Sequence, residues 1–403
     1  MLPVAEARTR ILAAFDPLPA ETVPVGDALG RVLAEDLLAR VTQPPAAMSA
    51  MDGYAVRAHD AGAVPARLRL VGEVPAGEAF PRALGAGEAV RIFTGAPLPD
   101  GADAIVIQEN TERDGDTVVV HTAAQAGDWV RPAGLDFREG EPGLPAGRRL
   151  TARDIGLAAA MNRPWLNVHR RPRVAVLATG DEIVLPGEPL GPNQIVSSNS
   201  MGLCAFVSAC GGEPVHLGVA PDTRAGLTER IAAAKGCDLL VTAGGASVGA
   251  HDLVHRVLEE RGAELDFWKI AMRPGKPLMF GRLGATPVLG LPGNPVAGLV
   301  CATLFLRPAI DVMQGGEGTV PRMRAVLGAP LPANGERESY LRASIDRTGP
   351  HGPEVTAFEK QDSSVLSRLA RADALIRRPI RAEPAPAGTA VEILPLDHGA
   401  CRI

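Results

Sequence analysis

The feature that most constrains this chain is a regular alternation of apolar runs and helix-length segments between Arg171 and Gly316. The runs RVAVLAT, PVHLGVA, DLLVTAGG and ATPVLGLPG each read as a strand, and segments of helical length separate them. Apolar runs of this kind are typical of strands that are covered on both faces. The pattern therefore predicts βαβ units and a parallel sheet between two helical layers.

The segments on either side of this unit follow other patterns. Helical spacing of apolar residues predicts two helices in the first forty residues, the second of them through Leu29, Leu33 and Leu37. The sequence TARD, from Thr151 to Asp154, resembles a capping box and predicts a further helix. Short β-type runs between Gly and Pro turns fill the remaining segments.

We therefore predict a multidomain protein of the α/β plus β class. A helical N-terminal domain comprises residues 1–40 and 138–170, and a β insertion domain, residues 41–137, interrupts it. The three-layer α/β domain covers residues 171–316, and a small β-barrel domain covers residues 317–403.

Composition excludes nucleic acid as the expected partner. The 403 residues include 41 Lys and Arg against 46 Asp and Glu, which gives a formal net charge of −5. A nucleic-acid binder needs a basic face to neutralise phosphates, and single-strand binding needs aromatic side chains, which make up only 3% of this chain.

The sequence favours a cytoplasmic protein without a membrane span. Its five cysteines are odd in number and include no Cys-x-x-Cys pair, as expected of buried thiols in a reducing compartment. No signal peptide is indicated at the start. The uncharged stretch from Leu283 to Leu306 is long enough to span a bilayer, but Pro287, Pro292 and Pro295 interrupt it. We interpret it as a strand, a turn and a buried helix.

Polar, glycine-rich sequences follow three of the predicted parallel strands. They are TGDE from Thr179, TAGGASVGAHD from Thr242 and GLPGNP from Gly290. Ligands of parallel sheets bind outside the carboxyl ends of the strands, and glycine loops that lead into helices bind anions. Although one such loop could be a plain turn, three on one edge predict a site for a phosphate-type ligand.

Three carboxylates map to the same edge. Glu182, Asp222 and Asp252 are suited to Mg²⁺, which takes one or two carboxylates together with phosphate oxygens and water. Asp222 and Asp252 are also placed to cap the helices that follow them, and the sequence leaves both roles open.

A basic segment, FWKIAMRPGKP, contributes Lys269, Arg273 and Lys276. Such a loop can bind phosphates or a tetrahedral oxyanion, or it can be a solvated hairpin. The Pro274-Gly275 turn separates Lys276 from the other two cations and leads into a predicted strand, PLMF.

The remaining motifs give weaker evidence for a functional site. The pair His251 and His255 has the spacing of a zinc-protease helix, but Asp replaces the required Glu and no third ligand is evident, so we interpret His255 as a structural residue. Neither a Walker A sequence nor a G-x-S-x-G elbow occurs. Two polar turns of the insertion domain, SAMDGYA with Asp52 and FTGAPLP with Thr94, each read as structural when taken alone.

Taken together, the motifs resemble one family. SAMDGYA, FTGAPLPDGADAIVIQE, RPAGLDFREGE, LATGDEI, TAGGASVGAHD, FWKIAMRPGKP and GLPGNPVAG occur in this order, and the chain is similar over nearly its whole length to the molybdopterin molybdenumtransferases and to the C-terminal domain of gephyrin.

The resemblance implies a reaction and an assembly. The expected subunit has four domains, one of which resembles molybdopterin adenylyltransferase, and forms a homodimer. The active site is expected in a cleft between the α/β domain and the insertion domain of the partner subunit. Adenylylated molybdopterin and molybdate would react with Mg²⁺ assistance to give the molybdenum cofactor and AMP. Molybdopterin adenylyltransferase and molybdoenzymes are the implied partners.

The resemblance also assigns roles to residues, motif by motif. The implied catalytic residues are Asp52, Thr94, Asp136, Glu182, Asp222 and Asp252, the last three also being the implied metal ligands. The implied substrate-binding residues are Gly244, Gly245, Ser247, Gly249, Lys269, Arg273, Lys276, Pro292, Asn294, Pro295, Arg342 and Ser363.

The chain departs from the family pattern at three places. Ser197 stands where the family often has Asp, which makes it a poor metal ligand. The family's C-terminal Gln-Gly-Ser is Gln361-Asp362-Ser363 here, and Arg273 replaces Lys, which keeps the charge but changes the donor geometry.

Two other functions are compatible with the motifs. The chain could adenylylate molybdopterin, or it could bind the cofactor as a scaffold without catalysis. The insertion and the C-terminal β domain favour the molybdenumtransferase. The charged set of Asp52, Glu182, Asp252 and Lys276 weighs against a scaffold, which would not need it.

Overall fold

The first helix packs against the α/β unit. The computed structural model describes residues 1–244, 253–348 and 352–396. Helix α1 (Val4–Leu12) buries Val4, Ala7 and Ile11 in the same apolar cluster as the central strands of the α/β sheet. Strands β1 (Ala20–Pro24) and β2 (Leu37–Leu38) follow it.

The second helix predicted in the first forty residues is wrong. Between Leu29 and Leu37 the chain forms a turn, isolated β-bridges and bends, and two of its donors bond to a distant segment. The Leu33 N–H donates to the Arg148 carbonyl (3.0 Å) and the Ala34 N–H to the Asn167 carbonyl (3.0 Å). Leu33 and Leu37 are buried between paired segments, which the helical spacing did not reveal.

The insertion is built of strands, as predicted. Its strands are β3 (Met48–Ser49), β4 (Gly53–Val56), β5 (Ala66–Val74), β6 (Glu88–Ile92), β7 (Ala104–Ile107), β8 (Thr111–Asp114), β9 (Thr117–Val120) and β10 (Val130–Arg131). Six form a sheet in the order β7-β4-β6-β5-β9-β8, and β3 pairs with β10. Gly53 is required in β4 because a Cβ there would collide with the Val106 carbonyl.

The chain then returns to the first segment. Strand β11 (Pro142–Leu144) pairs with β2, and β12 (Trp165–His169) pairs with β1. Between them, helix α2 (Ala152–Ala160) begins with the predicted capping box, in which the Asp154 carboxylate accepts from the Thr151 N–H (2.8 Å) and hydroxyl (2.9 Å).

Within its described residues, the α/β unit contains nine strands and five α-helices. They are β13 (Arg173–Thr179), β14 (Ile183–Val184), β15 (Ile195–Val196), α3 (Asn199–Ala209), β16 (Glu213–Ala220), α4 (Arg224–Ala232), β17 (Leu239–Ala243), α5 (Leu253–Glu260), β18 (Ala263–Lys269), β19 (Met272–Arg273), β20 (Pro277–Leu283), β21 (Thr286–Leu291), α6 (Pro295–Cys301) and α7 (Arg307–Met313), with a π-helical turn joining α6 to α7.

The central sheet is mixed, with the order β16-β13-β17-β21-β20-β18. The first four strands are parallel, as predicted, whereas β20 runs antiparallel to both of its neighbours, β21 and β18, so that β18 has the same direction as the first four. Val174 and Val176 of β13 enter one apolar cluster, and Ala175 and Leu177 enter a second on the opposite face. These two cores confirm the three-layer arrangement.

The apolar stretch around α6 is part of the first of these cores. Among the described residues, the helical run Pro295–Met313 is long and apolar enough to cross a membrane, and 78% of its most apolar window is buried in the protein. The interpretation of Leu283 to Leu306 as strand, turn and buried helix agrees with β21, the turn at 292–294 and α6.

The last domain is a closed barrel, as predicted. Strands β22 (Met323–Leu327), β23 (Glu338–Asp346), β24 (Glu354–Ala357), β25 (Ala374–Arg378) and β26 (Ala390–Pro395) close through β23–β25 pairing, and α8 (Leu366–Leu369) precedes β25. Strand β19 of the α/β unit pairs with β23 and joins the two domains.

The docking of α1 predicts the effect of truncating its central side chain. Because Ile11 is fully buried in the α/β core, we expect Ile11→Ala to lower the free energy of unfolding by about 2–5 kcal/mol, measured by urea titration. Thr9→Ala, on the exposed face of the same helix, serves as the control and should change it by about 0.5 kcal/mol or less. An Ile11→Ala variant as stable as this control would show that α1 is peripheral.

Candidate active site

The ends of six strands form one edge of the central sheet. Thr179 pairs with Ala220, and Ala243 pairs with Leu291, so the four parallel strands end at the same level. Strand β18 ends, and the antiparallel β20 begins, at this level too, because Lys269 pairs with Pro277. We call this side of the sheet the strand-end edge. At about 4.8 Å between strands, it extends roughly 24 Å from β16 to β18.

One end of the strand-end edge is acidic. The Asp222 N–H donates to the Asp181 carboxylate (2.9 Å), which brings the loop after β16 against the loop after β13. Burial raises the pKa of the Asp222 carboxyl, and the negative charges of Asp181 and Glu182 raise it further. The expected N-cap role of Asp222 is wrong, because the neighbouring Thr223 hydroxyl accepts the helix N–H of Gly226 (3.1 Å).

Asp181 is a site residue that the sequence reasoning missed. The motif TGDE contains it, but only the tertiary contact with Asp222 distinguishes it from an ordinary loop carboxylate. Gly180 precedes it with φ +138°, a backbone conformation that favours glycine.

Glycine and proline loops occupy the middle of the strand-end edge. Gly244 has φ +97°, and its Cα lies so close to Gly293 that a Cβ on the latter would be 3.5 Å away. The Asn199 amide donates to the Gly293 carbonyl (2.6 Å) and fixes this turn. The predicted binding residues Gly245, Ser247 and Gly249, together with Asp252 and His251, lie outside the described residues.

A loop of the barrel covers the start of α6. Pro292 is buried, Pro295 occupies the first turn of the helix, and the Asn294 side-chain amide donates to the Ser363 hydroxyl (2.9 Å). The Val296 N–H donates to the Ser363 carbonyl (3.2 Å), so this helix amide is already bound within the protein. The predicted site residues Ser363 and Asn294 are therefore in contact, and each uses a side-chain polar group to bond to the other.

Arg342, which the resemblance assigns to substrate binding, is buried and uses its donors within the protein. It is only 1% exposed, and its guanidinium donates to the Asp362 carbonyl (2.7 Å) and to the Gln361 side chain (3.2 Å). Because its donors turn inward, Arg342 fixes the loop that carries Ser363. Its burial also lowers the pKa of its guanidinium.

The other end of the strand-end edge is basic. Lys269, Arg273 and Lys276 are exposed, and among the described residues their side chains make no hydrogen bond or ion pair. The backbone that carries them is nevertheless fixed: the Ile270 N–H donates to the Lys276 carbonyl (3.1 Å), and Gly275, with φ +106°, packs against Cys301. A loop with a fixed backbone thus presents three cations that have no partner among the described residues.

Two motifs of the insertion domain come together. The Asp52 carboxylate accepts from both the backbone N–H and the hydroxyl of Thr94, each at 2.8 Å. These two bonds hold the pKa of Asp52 below its ordinary value, and the charge of Arg91 lowers it further. Arg91 lies over the rings of Tyr54 and Phe93 (5.2 and 5.0 Å to the centroids) and is a neighbour that the motif reading missed.

The site residues of one chain fall into two separate groups. Within the part of the chain that the structure describes, no hydrogen bond or ion pair joins residues 44–136 to residues 171–316. Asp136 is exposed, and its backbone N–H donates to the Gln43 carbonyl (3.0 Å); among the described residues no hydrogen bond joins it to Asp52. Within the described part of one chain, the Asp52–Thr94 pair is therefore not linked to the strand-end edge by a hydrogen bond or an ion pair.

No preformed metal cage is found among the described residues, where no cluster of three or more His, Cys, Asp or Glu side chains is arranged to hold an ion. The acidic end offers carboxylate oxygens, the ligand type that Mg²⁺ prefers, in the small number that it takes beside phosphates. His255 packs flat against Trp268 (4.3 Å) and pairs with Glu259 (3.3 Å), as a structural residue does.

Family models match the chain in three consecutive parts. The model described as the MoeA N-terminal region (domain I and II) matches residues 2–162, a probable molybdopterin binding domain matches residues 175–312, and the MoeA C-terminal region (domain IV) matches residues 324–396.

Individual relatives agree with these matches. A molybdopterin molybdenumtransferase of Nostoc sp. is 38% identical over 89% of this chain and 85% of its own length. Another, from Haemophilus influenzae, is 33% identical over 99% of both chains. A crystal structure of a molybdopterin biosynthesis protein from Pyrococcus horikosii superimposes with a TM-score of 0.85 at 34% identity, covering 98% of this chain and 99% of that one.

The acidic end predicts a measurable coupling of carboxylates. Because the charge of Glu182 helps to raise the pKa of Asp222, we expect Glu182→Gln to lower that pKa, which a carboxyl NMR titration would measure. The control is Glu188→Gln, in the same loop, which is not among the causes of the Asp222 shift. If both variants leave the Asp222 titration unchanged, the acidic residues do not interact as described.

Proposed function

This chain belongs to the molybdopterin molybdenumtransferase family, and from that premise we propose that it inserts molybdenum from molybdate into adenylylated molybdopterin, releasing AMP. The observation that carries the proposal is the strand-end edge, where a rigid basic loop and an acidic pair flank glycine and proline loops. Such an edge can accommodate an elongated anionic conjugate and a second anion beside it.

The basic end supplies the charge that this reaction needs. Molybdate and the phosphates of the conjugate are all anions, so bringing them together requires cations that are not already paired. Lys269, Arg273 and Lys276 are exposed and unpaired within the described residues, and their loop is fixed before any ligand binds. We propose that Lys276 binds the conjugate and that Lys269 and Arg273 bind molybdate.

The acidic end fits a Mg²⁺ ion. We propose that Glu182 and Asp222 hold it, with Asp181 positioning Asp222 through its backbone bond, and with Asp252 as a further ligand. When bound, the ion would neutralise negative charge on the phosphoanhydride that is cleaved. The raised pKa of Asp222 fits this assignment, because a nearby cation would stabilise its ionised form.

Asp52 is proposed to act on the strand-end edge of a second subunit. It is held ionised by Thr94 and lies in a domain that, within the described residues of one chain, makes no polar contact with that edge. A homodimer with shared sites, as the family resemblance implies, would bring the two groups together. There Asp52 could orient water or the hydration shell of the metal.

The proposal also includes the cellular setting. The described cysteines Cys204, Cys210, Cys237 and Cys301 are free, as thiols are in a reducing cytoplasm. We propose that a molybdopterin adenylyltransferase supplies the conjugate there and that molybdoenzymes receive the product.

The test is a single assay with a matched pair of variants. Protein is incubated with adenylylated molybdopterin, molybdate and Mg²⁺, and AMP and molybdenum-loaded cofactor are quantified; AMP in step with loaded cofactor is expected. Lys276→Ala should weaken use of the conjugate about ten- to hundredfold, the loss of one charge-assisted contact. Lys235 lies at the end of the sheet opposite the strand-end edge. Lys235→Ala removes the same charge and should change the use of the conjugate little.

Other outcomes would identify the alternatives. Pterin adenylylation from ATP would identify an adenylyltransferase, and absence of any AMP release would leave the scaffold. Equal losses in Lys276→Ala and Lys235→Ala that disappear at high salt would show that the basic loop acts only through diffuse attraction.

The shared site predicts complementation between inactive subunits. We expect Asp52→Ala and Lys276→Glu each to be strongly impaired, and a mixture of the two to regain activity after subunit exchange, because hybrid dimers contain one intact site. Mixing either variant with itself is the control. If hybrids form but recover no activity, Asp52 does not act across subunits.

A further inference from the structure

An exposed tryptophan occupies a turn position that favours glycine. The Val130 N–H donates to the Gly127 carbonyl (3.2 Å) and closes a four-residue turn, whose third residue is Trp129 with φ +56°. Glycine or asparagine is preferred at such a position, and a bulky side chain is strained there.

The surrounding structure holds this conformation in place. The Trp129 carbonyl accepts the Ala50 N–H (2.8 Å), and the carbonyl of Asp128 accepts the Ile105 N–H (3.0 Å). The Asp128 carboxylate also accepts the Gln125 N–H (2.8 Å). Strain of this kind persists only where neighbours fix the backbone, and it is concentrated at functional sites.

Burial does not offset the strain. The Trp129 side chain is 50% exposed, whereas Trp268 is half-buried and packs flat against His255. In a chain with 3% aromatic residues, an exposed indole at a strained position contributes little to the core. The fold therefore does not explain why tryptophan, and not glycine, stands here.

Its location supplies a reason. Ala50, which bonds to Trp129, is two residues before Asp52, and the Ser49 carbonyl accepts the Gly95 N–H (2.9 Å) next to Thr94. The loops 49–52, 93–96 and 127–130 thus form one hydrogen-bonded unit, which we call the Asp52 face. Trp129 is the exposed aromatic residue of the third of these loops, and its backbone is bonded to the loop that carries Asp52.

We propose that Trp129 is a substrate-binding residue whose indole stacks on a planar nitrogen heteroaromatic ring at the Asp52 face. The inference rests on the proposed function, because the adenylylated pterin carries two such rings, the pterin and the adenine. A flat ring stacks on tryptophan at a modest entropic cost, and base–aromatic stacking of this kind is a substantial part of binding energy.

The test distinguishes the loss of the aromatic ring from the relief of backbone strain. Trp129→Asn removes the ring and suits the turn, so the KM for the conjugate should rise about tenfold with kcat kept within roughly threefold, while the melting temperature stays or rises by about 1–3 °C. Trp129→Phe keeps a ring and should recover most of the KM. Trp165→Thr is the control, because Trp165 is 58% exposed on β12, away from the Asp52 face, and should leave KM unchanged.

Calorimetric titrations with AMP and with 6-hydroxymethylpterin then identify the ring, since only the probe that stacks should lose affinity in Trp129→Asn. An unchanged KM in Trp129→Asn overturns the inference, as does a halved sedimenting mass, which would place the indole between two copies of the chain. If the wild type releases no AMP, the proposed function fails, and the titrations alone then test the role of Trp129. Binding of either probe that is weaker in Trp129→Asn than in the wild type supports the inference. Equal binding of the probes by the wild type and Trp129→Asn overturns it.

Discussion

The candidate site depends on the hydrogen-bond register of the central sheet. The pairings of Thr179 with Ala220, Ala243 with Leu291 and Lys269 with Pro277 bring loops from distant parts of the chain to one edge. The acidic and basic ends of this edge are then separated by three to five strand spacings. Their distance is fixed by backbone spacing, so opposite charges do not collapse into ion pairs and remain available for ligands.

The barrel contributes rigidity to this edge. Buried Arg342 fixes the loop at 360–362 from inside, and Ser363 then bonds to Asn294 and Val296 at the start of α6. Strand β19, which carries Arg273, pairs with β23 of the same barrel. The basic loop and the proline turn therefore both depend on a domain that presents few candidate site residues of its own, and damage to the barrel should affect ligand binding before it affects the central sheet.

The insertion domain presents a different kind of surface. Asp52 is held ionised by two hydrogen bonds from Thr94, and Trp129 is held exposed by a turn that its neighbours fix. Neither group is buried, and neither is used by the core of its own domain. A surface prepared in this way is suited to a ligand held between it and a second surface, which agrees with a site shared between subunits.

The sequence alone determined the alternation of strands and helices, the β insertion, the barrel and the motifs at the strand ends, because these follow from local periodicity, turn residues and caps. The non-helical segment around Leu33, the reversed direction of β20, the Asp181–Asp222 contact and the interior position of Arg342 were decided by the tertiary structure. The Leu33 bonds and the Asp181–Asp222 contact join residues more than thirty positions apart, β20 reverses through turns between it and its neighbours β18 and β21, and Arg342 turns its side chain inward. The spacing of residues along the chain does not identify such partners. The same residues are compatible with a helix face, a cap or a ligand contact, and only tertiary packing determines which of these forms.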